Sequence, residues 1–244
     1  MNTEGAKQTI IQFIKTQAGD KPVVLGLSGG IDSALVAYLA VEALGADKVH
    51  GLIMPSDTNI EEDLELAKRV TEYLNIQYSI FNIQPIIESY TGTLNSALSK
   101  TTIGNLKART RMTLLYSKAN ELNGLVLGTG NKTEIAIGYF TKYGDGGVDI
   151  LPIGDLYKTE VRELASYLNI PQEIIDRPPT AGLWEGQTDE NEIGMTYENL
   201  DKILKAIENK KSLSDFNITE VERVQELIKK SEHKRALSPV CKIR

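Results

Sequence analysis

Residues 22–33, Pro-Val-Val-Leu-Gly-Leu-Ser-Gly-Gly-Ile-Asp-Ser, restrict the fold more than any other segment of the chain. Positions 22–27 form a short, nearly continuous apolar run, the pattern of a strand covered on both faces. Positions 32–44 then set Leu35, Val36, Leu39, Ala40, Ala43 and Leu44 at helical spacing, and Gly45 stands where such a helix stops. A buried strand that passes through a two-glycine turn into a helix is half of a βαβ unit.

The alternation continues. A second apolar run at 49–54 ends at Pro55, and a helix from about Ile60 to residue 74 carries Leu64, Ala67, Val70 and Leu74 on one face. Positions 76–83 read as a third strand, 104–122 as a helix, and the Gly-Leu-Val-Leu-Gly run at 124–128 as a fourth buried strand. Beyond residue 155 the spacing is helical at 158–168, 197–207 and 218–231. Strands alternating with helices imply right-handed crossovers and a parallel sheet. We therefore expect one Rossmann-like α/β domain over residues 1–244, with helices on both sheet faces and a helical C-terminal end. Two stretches, 139–149 and 178–195, lack apolar periodicity, and long irregular segments in a compact domain are commonly functional loops.

Bulk properties narrow the setting. With 41% hydrophobic residues in 244, one core suffices without staples. The lone cysteine, Cys241, has no internal partner, no apolar run reaches the roughly 18 residues of a membrane span, and the N-terminus has no signal-peptide pattern. A cytoplasmic protein is expected. A net charge of −6 argues against nucleic acid as a partner, but a local basic cluster can still hold a small anion.

The loop Gly26-Leu27-Ser28-Gly29-Gly30-Ile31-Asp32-Ser33 lies between the first strand and its helix. Adjacent glycines let backbone amides approach a ligand, the helix start attracts anions, and Ser28 and Ser33 add hydroxyls. Where a Walker loop carries a lysine, this loop carries Asp32. A carboxylate about 4 Å from a phosphate charge is opposed by roughly 4 kcal/mol at an effective dielectric of about 20. A hard cation such as Mg²⁺ bridging them removes that conflict, and such a loop suits pyrophosphate as a leaving group. The plainer alternative is a glycine turn with an aspartate at the helix start. Glu134, beyond the fourth strand, could share the metal with Asp32 or simply begin a helix.

The Ser-Gly-Gly-Ile-Asp-Ser run resembles the pyrophosphate loop of the N-type ATP pyrophosphatases, which implies AMP-forming chemistry without choosing a substrate. The second half chooses one. The run at 138–149, Gly-Tyr-Phe-Thr-Lys-Tyr-Gly-Asp-Gly-Gly-Val-Asp, resembles the NAD synthetase family. So do the runs at 105–112, 151–159 and 177–181, together with His233-Lys234 and Ser238-Pro239. The likeness extends from about residue 5 to about residue 240.

The resemblance implies that Gly26, Leu27, Ser28, Gly29, Gly30, Ile31, Asp32, Ser33, Thr129, Lys158 and Thr180 contact ATP. It implies that Asp32 and Glu134 hold Mg²⁺, and that Arg109, Lys142, Asp149, His233 and Lys234 contact deamido-NAD. Each basic residue taken alone could equally be a solvated surface charge. The implied reaction activates the nicotinate carboxylate as an acyl-adenylate, which ammonia then attacks. Asp145 or Asp149 is the candidate acceptor of the ammonium proton, Asp145 being preferred, and Lys158 neutralises phosphate charge. The family is dimeric, so a homodimer is expected. With no length for a glutaminase domain, free ammonia is the expected donor. Residues 178–195, with Trp184, are expected to form a lid. The metal motif departs from relatives with Gly-Thr-Asp-His: here it reads Gly-Thr-Gly-Asn, leaving Asn131 and Lys132 without a role. Two alternatives remain, another AMP-forming ligase such as a tRNA-modifying enzyme, and a nucleotide binder without catalysis.

Overall fold

The computed structural model describes residues 1–58, 61–184 and 186–243; Ile60, the expected start of the second helix, lies outside them. In chain order the elements are α1 (Thr3–Ala18), β1 (Val23–Gly26), α2 (Ile31–Leu44), β2 (Val49–Ile53), α3 (Glu61–Leu74), β3 (Gln77–Ile80), α4 (Gln84–Leu94), α5 (Lys100–Leu122) and β4 (Leu125–Leu127). Then follow α6 (Lys132–Ile137), α7 (Lys158–Tyr167), α8 (Gln172–Ile175), α9 (Asp189–Ile193), α10 (Tyr197–Glu208), α11 (Ile218–Lys230) and α12 (Glu232–Arg235).

The sheet is parallel with strand order β3-β2-β1-β4, Val23 pairing with Val49 on one side and Leu125 on the other. Side chains alternate across it, as the strand repeat requires. Val23, Leu25, Val49, Ile53 and Leu127 join α1, α2, α3 and α7 in one core. Val24, Leu52 and Val126 face the other way, against Ile87 of α4 and Ala119 of α5. A third apolar cluster, with Tyr197, Leu200, Leu204, Val221 and Val224, unites the C-terminal helices. The expected doubly covered parallel sheet with a helical end is the observed one.

Several elements differ from the sequence reading, α4 and the short helices α6, α8, α9 and α12 among them. Helix α1 was not anticipated, although Ile10, Ile11, Ile14 and Ala18 are buried along one face and Asn2 caps its start. The third strand, Gln77–Ile80, is shorter than 76–83; residues 81–83 lead from it into α4, whose second residue is Pro85. Helix α5 starts at Lys100 rather than 104, capped by Ser99, whose hydroxyl accepts from the Thr102 backbone. Among the described residues, no helix is long and apolar enough to cross a membrane.

Chain order reverses at β1: β2 and β3 lie to one side and β4 to the other. The loops leaving β1 and β4 therefore diverge at neighbouring strand ends, opening a crevice where parallel α/β proteins take ligands.

Candidate active site

A cleft of about 720 Å³ occupies that crevice. It is lined by the β1–α2 loop, the β4–α6 loop, the cleft-facing side of α5 and residues 138–148 and 177–184. The β1–α2 turn is built by its own side chains. Ser33 Oγ donates to the Gly30 carbonyl at 2.9 Å, and Ser28 Oγ accepts from the Gly30 amide at 3.2 Å. Gly29 has φ of +77°, and a Cβ there would stand 2.6 Å from the Asp63 carbonyl, so only glycine fits. Gly30, at the N-cap of α2, has no side-chain cap, which leaves the helix start facing the cleft for an anion.

Asp32, Glu134 and Lys158 meet beside this turn. Lys158, the first residue of α7, is 2% exposed; its ammonium pairs with Asp32 and lies 3.6 Å from Glu134 Oε1. Its Nζ sits 5.2 Å from the centre of the Tyr197 ring. Burial alone would depress the Lys158 ammonium, but the two carboxylates outweigh it and hold its pKa above the ordinary value. Burial, then the Asp32 charge, pushes the Glu134 carboxyl up to about 8, with Lys158 pulling the other way. One ammonium thus serves two carboxylates. Glu134 keeps its proton because a second cation is lacking among the described residues, and its hard oxygen donors beside Asp32 fit a divalent oxygen-seeking cation such as Mg²⁺ that would displace that proton.

Asn131, unassigned from sequence, has a clear position. It caps α6 in a reciprocal capping box with Glu134, and its Nδ2 donates to Asp32 Oδ1 at 2.9 Å. The helix that presents Glu134 is thereby tied to the glycine turn. Lys132 points away, pairing with Glu208 at 2.7 Å and Asp155 at 3.0 Å.

Of the remaining expected residues, Thr129, Thr180, Asp145 and Lys234 line the cleft. Asp145 accepts from the Thr141 backbone at 2.9 Å; the surrounding protein raises its carboxyl above the ordinary value despite that bond. Lys234 donates to the carbonyls of Gly138 (2.7 Å) and Phe140 (2.6 Å), and burial lowers its ammonium. Lys142 lines a smaller neighbouring hollow of about 290 Å³ beside Tyr143, its ammonium bonded to the His233 carbonyl at 2.5 Å. Arg109 and His233 are exposed and are not among the cleft residues. Asp149 is not brought to the cleft either: its carboxylate accepts from the Val126 amide at 2.8 Å and from Tyr116 at 3.0 Å, closing the edge of β4.

Sequence reasoning missed two groups. Asp189, 4% exposed, accepts from Tyr197 at 2.9 Å and Tyr139 at 3.2 Å, next to the Lys158 cluster. Lys107, 1% exposed on α5, reaches the two loops at residues 57–58 and 183. Asp189 stands within the acidic run at 189–192, read only as a lid; Lys107 stands inside the run at 105–112, which the resemblance marks without giving this lysine a role.

Fold and site together define a nucleotide-binding enzyme of the parallel α/β class, with its glycine turn at the sheet's switch point. A family model described as NAD synthase matches residues 4–238. An NH3-dependent NAD+ synthetase from Pyrococcus furiosus is 49% identical, the match covering 97% of this chain and 94% of that protein. One from Pyrococcus horikoshii is 50% identical, covering 94% and 91%. Among solved structures, an NMN synthetase from Francisella tularensis superposes with a TM-score of 0.91 at 38% identity, covering 99% of both chains. An NH3-dependent NAD synthetase from Campylobacter jejuni gives 0.86 at 33% identity, covering 99% of this chain and 100% of that one. The chain belongs to the NAD synthase family, whose members are ligases that form a C–N bond.

Proposed function

We propose that this chain converts deamido-NAD, ATP and ammonia to NAD, AMP and pyrophosphate through an acyl-adenylate. The observation that carries the reading is the Asp32–Lys158–Glu134 cluster beside the β1–α2 turn, in one cleft with Asp145.

A carboxylate does not yield an amide with ammonia directly, because an oxide leaving group is too basic. In the proposed first step a nicotinate oxygen attacks the α-phosphorus of ATP and the bond to the β-phosphate breaks. The turn at 28–33 receives the departing pyrophosphate through backbone N–H groups and hydroxyls, and the Lys158 ammonium offsets its charge. Asp32 and Glu134 would hold Mg²⁺, which when bound neutralises phosphate charge as a Lewis acid. In the second step ammonia attacks the acyl carbon and AMP leaves. Ammonium must first give up a proton, and Asp145, which lines the cleft and is held there by the Thr141 backbone amide, is the proposed acceptor. Asp149, bonded into the strand edge, is poorly placed for that task.

The same reading takes one catalytic domain over residues 1–244, a homodimer and a cytoplasmic setting. Arg109, Lys142, His233 and Lys234 are assigned to the dinucleotide; the exposure of Arg109 and His233 suits a site completed by a second copy. The likeness to an NMN synthetase favours a second acceptor, nicotinate mononucleotide, which carries the same carboxylate. Chromatography of products from ATP, MgCl₂ and ammonium chloride with each acceptor separates them. NAD and AMP in equal amounts, with the mononucleotide a poorer acceptor by kcat/KM, is the expected result. Better turnover of the mononucleotide would replace the substrate, and no AMP with either would refute the chemistry.

A further inference from the structure

Helix α5 runs unbroken through Gly104, although glycine inside a helix costs about 1 kcal/mol relative to alanine. A Cβ there would stand 3.1 and 3.2 Å from Leu183 side-chain atoms and 3.4 Å from Trp184 Cζ3. The absent side chain is what lets residues 183–184 lie on the helix.

One turn further on, the buried Lys107 ammonium donates to Asp57 Oδ1 at 2.7 Å, Thr58 Oγ1 at 3.1 Å and the Leu183 carbonyl at 3.2 Å. Thr58 Oγ1 in turn donates to the Gly182 carbonyl at 3.0 Å. A buried ammonium costs desolvation that a methionine of similar length avoids, so packing alone does not explain a lysine here.

The contacts continue inward. The Leu183 amide donates to Gln187 Oε1 at 2.8 Å, and Gln187 Nε2 to Glu192 Oε2 at 2.8 Å. Glu192 also accepts from Tyr139, whose hydroxyl reaches Asp189 at 3.2 Å. Asp189 holds Tyr197, the ring beneath Lys158.

We infer that Gly104 and Lys107 are positioning residues that seat residues 180–184 over the cleft, one providing the slot and the other clamping the loop's carbonyl to the Asp57–Thr58 loop. The inference rests on the adenylate reading and deepens it. With the loop unseated, water attacks the acyl carbon, the bond from that carbon to the AMP oxygen breaks, and carboxylate and AMP dianion separate as both protons of the water pass to solvent. ATP is then spent without an amide.

The test compares the enzyme over residues 1–244 with Lys107→Met, Gly104→Leu and Thr58→Val, the last a partly exposed loop change outside the three apolar clusters. Three quantities are read: the AMP:NAD ratio, emission of Trp184 (the sole tryptophan), and Tm. The parent should give AMP and NAD in equal amounts. Each variant should give AMP in several-fold excess with a red-shifted Trp184 emission, and Lys107→Met with Thr58→Val should be no worse than Lys107→Met alone. Variants that keep the ratio at unity and leave Trp184 unmoved, whether or not Tm falls, overturn the inference. A parent that makes no AMP would refute the proposed reaction instead, and the Trp184 emission of the variants would still decide whether the loop is seated by α5.

Discussion

Lys158 is the cation on which the cluster depends, because two carboxylates face it and, among the described residues, neither has another ammonium as near. Lys158→Met should lower the rate of adenylate formation by about 10²–10³-fold, the cost of removing one preorganised charge partner from a developing phosphate anion. A single-turnover measurement of AMP release reads this; a variant within a few-fold of the parent would remove Lys158 from the chemistry. The reactive residues were legible where they sit beside glycines at strand ends or inside an unusual run, as Asp32, Glu134 and Asp145 do. Asp189 and Lys107 were not, because Tyr139 lies 50 residues from Asp189 and Asp57 lies 50 residues from Lys107, and no local spacing encodes such a return. Asn131 is intermediate: Asn followed by Glu three residues on is a capping signature, but its bond to Asp32 spans 99 residues.

Helix α6 is short, yet it carries Glu134 and stops at Gly138, which has φ of +70° and packs against Ser231 at the end of α11. A methyl at that position would run into the Ser231 side chain while forcing a strained backbone. Gly138→Ala should therefore cost roughly 1–3 kcal/mol of stability and loosen the C-terminal helices from the sheet. Urea denaturation checks this, and an unchanged midpoint would mean that the contact is easily relieved. The strands and long helices were readable because burial imposes period 2 or 3.6 on them. Helix α1 has the pattern too, in Ile10, Ile11, Ile14 and Ala18, but lies outside the alternation that organised the rest. The third strand was read too long because it is an edge strand with only Ser79 partly covered, so its polarity does not mark its end.

Across the molecule, one buried histidine ties stability to pH. His50 on β2 is 9% exposed and contacts Ser79 Oγ at 3.1 Å; burial, with a smaller push from Lys118, depresses its pKa. The unfolded chain takes up the proton first, at about pH 6.5, so the folded state loses stability as pH falls below that value toward the lower folded pKa. The loss in Tm between neutral and mildly acid pH should be smaller in His50→Gln, and equal losses would show that the ring is not the titrating group. In the proposed reaction the turn, the cluster and the loop over the cleft act together, and the carboxylate is activated by transfer of adenylate. Deamido-NAD labelled with ¹⁸O in its carboxylate, turned over with ATP and ammonium, tests it by mass spectrometry. Activation through the acyl-adenylate places one label in the phosphate of AMP and leaves pyrophosphate unlabelled. Label in pyrophosphate, or in neither product, would contradict it.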